Sequence, residues 1–301
     1  MVQRRFQKKL FRFGCGESCL AAEEKMVIRM DNRPIGVFDS GLGGLTAVRE
    51  LMQVLPRESI IYFGDTGRVP YGTRGAETIR KYTRQDIAFL KTNGVKMILA
   101  ACGTVSSVAG EIGETCGLPF TGVLRPTAEA AIRETRTGRI GVIGTQATVS
   151  SGSYERHVKA LAPEAEVFSC ACPLFVPLVE NGVIAPEDPI VRLTAERYLC
   201  YFEGKGIDTL ILGCTHYPIL HDSIAAVMGS GVTLINSGRE AALRCVKMLE
   251  EKALLCGNDA EVRHRFFVSD QVEGFHAMAD ICLGHTVDAD VQFVDIDRYP
   301  A

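Results

Sequence analysis

Two cysteines in this chain stand where thiol chemistry is expected. Cys102 ends the run Met97-Ile98-Leu99-Ala100-Ala101, and Cys214 ends Leu210-Ile211-Leu212-Gly213. A threonine follows each closely, Thr104 and Thr215. A cysteine between a buried strand and a helix N-terminus meets unpaired amides and the positive end of the helix dipole, and both favour the thiolate. That placement predicts a pKa below the free value of about 8.5. Two such thiols could form a disulfide, which a reducing compartment gives no reason for. They could be redox active, although neither lies in a Cys-x-x-Cys pair. Or they could flank one carbon, a thiolate taking a proton from one face while the opposite thiol gives one to the other. So weak a carbon acid also needs fixed donors for its developing charge.

Donors are at hand. Asp39-Ser40-Gly41-Leu42-Gly43-Gly44 follows an apolar run, and glycines let backbone amides approach a ligand. The segment lacks a Walker lysine, and Thr46 occupies the third-glycine position of a dinucleotide fingerprint, so nucleotide binding is not expected. Asp39 and Ser40 then read as groups at a strand end, with a plain helix cap as the other reading of Ser40. Val69-Pro70-Tyr71-Gly72 is a second turn. His216, two residues after Cys214, is placed to tune a thiol or to exchange a proton with it.

The elements that must position these groups alternate. Strands are expected at 34–38, 59–63, 96–101, 139–143, 166–170, 207–212, 232–235 and 265–268. Helices are expected at 44–54, 75–92, 104–116, 126–135, 151–161, 187–204, 216–228 and 238–253. In 187–204 the apolar spacing follows Ile190, Leu193, Ala195, Tyr198 and Leu199. Continuous apolar strands between helices predict an α/β fold with a mostly parallel sheet and sites at the strands' carboxyl ends. A faint repeat sharpens this. Ile35-Gly36-Val37-Phe38-Asp39-Ser40 resembles Ile140-Gly141-Val142-Ile143-Gly144-Thr145, and the two cysteine runs resemble each other. Two similar halves could face each other across a cleft, each presenting one cysteine.

Composition excludes several classes. The chain has 301 residues, 47% hydrophobic and 23% charged, which are ordinary globular values. A formal net charge of −3 gives no reason to expect a nucleic acid or a membrane surface. The apolar stretch Val167 to Val179 is too short to span a bilayer and holds Pro173 and Pro177. Residues 1–32 are basic at first, with no apolar run fit for a secretory signal, and read as a disordered extension. The cysteine count is 11, an odd number, which suits free thiols in a reducing cytoplasm. Cys15 with Cys19, and Cys170 with Cys172, lack partners at zinc spacing, so no metal is expected.

Five segments in order are similar to the glutamate racemase family of the aspartate/glutamate racemase superfamily. They are Asp39-Ser40-Gly41-Leu42-Gly43-Gly44-Leu45, Tyr62-Phe63-Gly64-Asp65 with Pro70-Tyr71-Gly72, Ala101-Cys102-Gly103-Thr104, Cys172 through Glu180, and Gly213-Cys214-Thr215-His216-Tyr217-Pro218. The resemblance runs from about Pro34 to Asp270. It implies two pseudo-symmetric α/β domains, 33–125 with 237–301 and 126–236, and an active site in the cleft between them. It implies a cofactor-independent, two-base interconversion of L- and D-glutamate with Cys102 and Cys214 as the catalytic pair, Cys102 serving the D-form and Cys214 the L-form. Asp39 and His216 assist as acid–base groups. Substrate is held by Asp39, Ser40, Tyr71 and Gly72, and by Gly103, Thr104, Thr215 and His216, with Glu180 nearby. No pyridoxal phosphate is implied. A bacterial cytoplasm, a supply of D-glutamate for peptidoglycan and a homodimer common in the family are also implied. One departure stands out: the family has Cys-Asn-Thr where this chain has Cys102-Gly103-Thr104. The missing amide would cost a substrate contact and could shift preference toward a smaller acid such as aspartate.

Overall fold

Strands buried on both faces are expected to be largely apolar, and the central strands of this chain are, with polar residues only at their ends. Ile35–Asp39 (β1), Ile60–Gly64 (β2) and Met97–Ala100 (β3) are buried at every position, as is Thr209–Leu212 (β7). The computed structural model describes residues 30–257, 259–270, 272–284 and 290–301. Asp31 and Asn32, read from the sequence as part of the extension, are bonded to the body: the Asp31 amide donates to Leu255 O, and Asn32 accepts from the Gly257 amide. The rest of the expected extension lies outside the described residues.

Six further strands are Phe120–Gly122 (β4), Arg139–Gly144 (β5), Glu166–Ala171 (β6), Thr233–Asn236 (β8), His264–Val268 (β9) and Val291–Phe293 (β10). They complete a six-stranded sheet of order β10-β9-β2-β1-β3-β4 and a four-stranded sheet of order β6-β5-β7-β8. Every pairing among the described residues is parallel. The run β2-β1-β3-β4 has the same order as β6-β5-β7-β8, so the fold is α/β with two pseudo-symmetric parallel sheets.

Helices fill the connections. Those that bear on the site are Leu45–Val54 (α1), Ala76–Thr92 (α2), Gly103–Val108 (α3), Gly110–Glu114 (α4), Leu124–Glu134 (α5), Gln146–Ser150 (α6), Ser153–Leu161 (α7) and Phe175–Glu180 (α8). Pro189–Leu199 (α9), His221–Met228 (α10), Ser237–Glu251 (α11) and Phe275–Leu283 (α12) follow. One hydrophobic cluster joins the sheets: Val37 and Leu99 of the first and Leu210 and Leu212 of the second pack with Leu45, Ala241 and Leu249. Phe38, Phe63 and Ile98 face a second cluster, and Ile140, Val142 and Ile211 face a third.

The helix expected at 104–116 breaks at Ala109, whose backbone leaves the helical region at φ −136°. The one expected at 151–161 is preceded by a separate turn of helix, with the left-handed Gly152 between them. The apolar face expected on 187–204 is rotated in the structure. Val191, Ala195 and Leu199 are buried, whereas Ile190 and Leu193 are 57% and 56% exposed.

Candidate active site

The register of the sheets places the two cysteines at equivalent points. Ile35 of β1 pairs with Met97, and its repeat counterpart Ile140 of β5 pairs with Thr209. Counting five residues on along each partner strand reaches Cys102 and Cys214. Both lie just past a strand's carboxyl end, and both line one cavity of about 350 Å³. Asp39, Ser40, Tyr71 and Gly72 line it from the first half, with Gly103 and Thr104. Glu180, Thr215 and His216 line it from the second half. The structure thus brings all the residues singled out from the sequence around a single space.

Two amides of the glycine loop after β1 turn inward to its own aspartate. Gly44 N and Gly41 N donate to Asp39 Oδ2 at 2.9 and 3.3 Å, and Tyr62 donates to Gly41 O at 2.6 Å. The loop is folded around its own carboxylate. Burial raises the Asp39 pKa, against the opposing pull of His216 and the loop amides. The cap reading of Ser40 also fails. Gly44 is the N-cap of α1, and the Ser40 hydroxyl instead accepts from Cys102 Sγ at 3.6 Å.

The two thiols have different surroundings. Cys102 caps α3, but that helix is short, and the expected lowering of its pKa is overturned. Burial and the neighbouring charge of Asp39 push it up to about 12. Cys214 instead faces an imidazole: its Sγ lies 3.7 Å from His216 Nδ1, and Nε2 of the same ring lies 3.2 Å from Glu180 Oε1. Burial works against a charge on His216. Its bonds to Cys214 and Glu180 outweigh that, with help from the charges of Cys214 and Asp39, and raise its pKa to about 10. A protonated ring donates from both nitrogens, one toward Cys214 Sγ and the other toward Glu180.

Tyr71 lines the cavity, yet its hydroxyl is committed elsewhere. It donates to Asp65 and lies 3.2 Å from Asp86, in a network closed by Arg68. Thr145 and Gln146 also line the cavity and were not singled out. The repeat carried the signal for Thr145, since it aligns with Ser40. Its hydroxyl meets that of Thr104 at 3.0 Å, one of several bonds across the halves. Another runs from the Thr46 hydroxyl to Thr215 O at 2.9 Å. Val69, Pro70, Pro173, Val176 and Pro177 supply an apolar wall. Among the described residues no group of three or more His, Cys, Asp or Glu is placed to hold a metal ion.

Two like parallel α/β sheets, each followed at a strand's end by a cysteine that lines one shared cavity, define the class of fold and site to which the chain belongs. The chain belongs to the Asp/Glu/Hydantoin racemase family, whose model matches residues 41–245. It is similar to the glutamate racemase of Chlorobaculum tepidum, 46% identical over 83% of this chain and 92% of that protein. It is equally similar to that of Streptococcus gordonii, 46% identical over 89% of this chain and all of the relative. Among solved structures, glutamate racemase from Francisella tularensis in complex with D-glutamate superposes with a TM-score of 0.83 at 39% identity, covering 89% of this chain and 100% of that one. The enzyme from Thermus thermophilus in complex with beta-chloro-D-alanine gives 0.78 at 42% identity, covering 87% and 97%.

Proposed function

We propose that this chain interconverts L- and D-glutamate by a two-base mechanism in which Cys102 and Cys214 exchange a proton with the α-carbon of a glutamate held between them. The observation that carries this reading is the pair of thiols lining one cavity from corresponding ends of two like sheets. The glutamate racemases that resemble the chain over most of its length support the substrate.

L-glutamate is placed with its α-hydrogen toward Cys214. The thiolate takes that proton, and the C–H electron pair spreads from the α-carbon into the α-carboxylate. Cys102 gives its S–H proton to the opposite face and is left as the thiolate. The product is D-glutamate, and the enzyme has exchanged its thiol and thiolate. Charged His216 stabilises negative sulfur at Cys214, and Glu180 holds the ring in place. Ser40, beside Cys102, accepts its S–H in the waiting state. Units 33–125 with 237–301, and 126–236, form the two walls. A bacterial cytoplasm and a use of D-glutamate in peptidoglycan go with this reading through the family resemblance.

Circular dichroism tests it. Purified chain incubated with L-glutamate should drive the optical signal toward zero, and so should chain incubated with D-glutamate. Cys102→Ala and Cys214→Ala should each hold the signal constant. Retained racemisation by either variant would sink the two-base reading.

A further inference from the structure

Gly103 stands where the family resemblance calls for asparagine, and the structure shows what occupies the space. A β-carbon built on Gly103 would lie 2.2 Å from Gly213 O, 3.2 Å from Gly213 C and 3.7 Å from Cys214 Cα. Gly103 lies outside the left-handed region, so its torsions do not call for glycine. The close approach does. The residue after one cysteine therefore touches the residue before the other.

Other glycines of the first half also abut the second. A β-carbon on Gly43 would meet His216 Cε1 at 2.4 Å, and one on Gly72 would meet Thr145 Cβ at 2.9 Å. At Gly43 the obstacle is an imidazole, which can turn aside, and at Gly72 the 2.9 Å approach is relieved by a shift of a few tenths of an ångström. At Gly103 the obstacle is a carbonyl fixed in the main chain, and Gly213 is itself held by its amide bond to Ile143 O at 2.8 Å. Relief there requires the two strand ends to part.

We propose that the Gly103–Gly213 backbone contact is the stop that sets the spacing of the strand ends bearing Cys102 and Cys214, which makes Gly103 a positioning residue for proton transfer. The inference rests on the racemase reading. Any β-carbon at 103 moves the ends apart by roughly 1 Å, a misplacement that can cost about a hundredfold in rate. Gly103→Asn, which restores the family's residue, is therefore harmful in this chain, as is Gly103→Ala. The wider gap has a chemical signature. A carbanion formed at one thiol waits longer for the other; in that time the thiol that took the substrate's hydrogen exchanges it with solvent, and return on the face it came from then delivers a solvent-derived hydrogen.

The experiment uses full-length chain and L-glutamate in deuterium oxide, stopped at low conversion, with both enantiomers analysed for α-deuterium. Wild type is expected to place deuterium in D-glutamate and to leave recovered L-glutamate unlabelled. Gly103→Ala and Gly103→Asn are expected to lose about a hundredfold in kcat, with KM within about threefold for Gly103→Ala, which adds no amide to meet the substrate. Both should put deuterium into recovered L-glutamate while melting as folded proteins. Variants that racemise within about threefold of wild type, with unlabelled L-glutamate, would overturn the proposal while leaving the racemase reading intact. A wild type that does not racemise at all sinks that reading instead. A second measurement needs no variant. A crystal structure of wild type with glutamate should keep Gly103 Cα within about 4.5 Å of Gly213 O. A bound state with the two parted would overturn the stop.

Discussion

His216 shows how a single side chain joins chemistry to pH. Its ring lies between Cys214 and Glu180, and its pKa of about 10 depends on both. Glu180→Gln removes one of these supports, so the His216 pKa should fall. The alkaline limb of the kcat/KM profile should move to lower pH, and an NMR titration of the ring should follow it. An unmoved limb would detach Glu180 from the mechanism. The sign for stability follows from the same shift. A histidine whose folded pKa is raised contributes fully below its unfolded value near 6.5, and that contribution fades as pH rises toward 10. At this scale the sequence was informative about identity and poor about partners. The cysteines were legible because a repeat marks them. The Tyr71 hydroxyl was not, because its partners Asp65 and Asp86 reach it only through the fold. The high pKa of Cys102 was hidden for the same reason: burial and Asp39 override the helix terminus.

Among the elements, α11 is the one that ties the halves together. It packs on α1 of the first and α5 of the second. The last residue of β8, Asn236, starts it: Oδ1 accepts from Gly238 N at 3.0 Å and Arg239 N at 3.2 Å, and Nδ2 lies 3.4 Å from Glu50 Oε1. Asn236→Ala should cost about 1 kcal/mol of stability, read from urea unfolding. A loss near zero would mean that water replaces the cap. Buried strands were readable as continuous apolar runs. β4 and β10, with three residues each, leave too short a pattern to find. α8 was hidden by Pro177, which is tolerated within its first turn. The face of α9 was misjudged because Ile190 and Leu193 keep helical spacing yet point outward. Period reveals a helix, but only its neighbours decide which side is covered.

For the molecule as a whole, the duplication was visible in the Ile-Gly-Val repeat, but β9 and β10, added beyond β2, break the symmetry and have no counterpart in the second sheet. A buried ion pair fastens the end of the first sheet away from the cavity. Lys96 Nζ lies 2.6 Å from Glu58 Oε2 and donates to Asp31 O at the same distance, with both side chains almost fully buried. Lys96→Met leaves Glu58 as a lone buried charge and should cost about 3–5 kcal/mol in urea unfolding, while Lys96→Met with Glu58→Leu should recover much of that. A single-variant loss below about 1 kcal/mol would show that the pair is not holding this end.

The position of β9 carries a consequence for the chain while it is being made. The second sheet is complete once residue 236 has emerged, but β2 pairs on one side with residues 264–268. Until those residues leave the ribosome, the nascent first sheet presents β2 as an open row of main-chain donors and acceptors. The half of the molecule begun first is therefore the half finished last, and a polypeptide interrupted between these points would carry one complete sheet and one lacking the strands that cover β2.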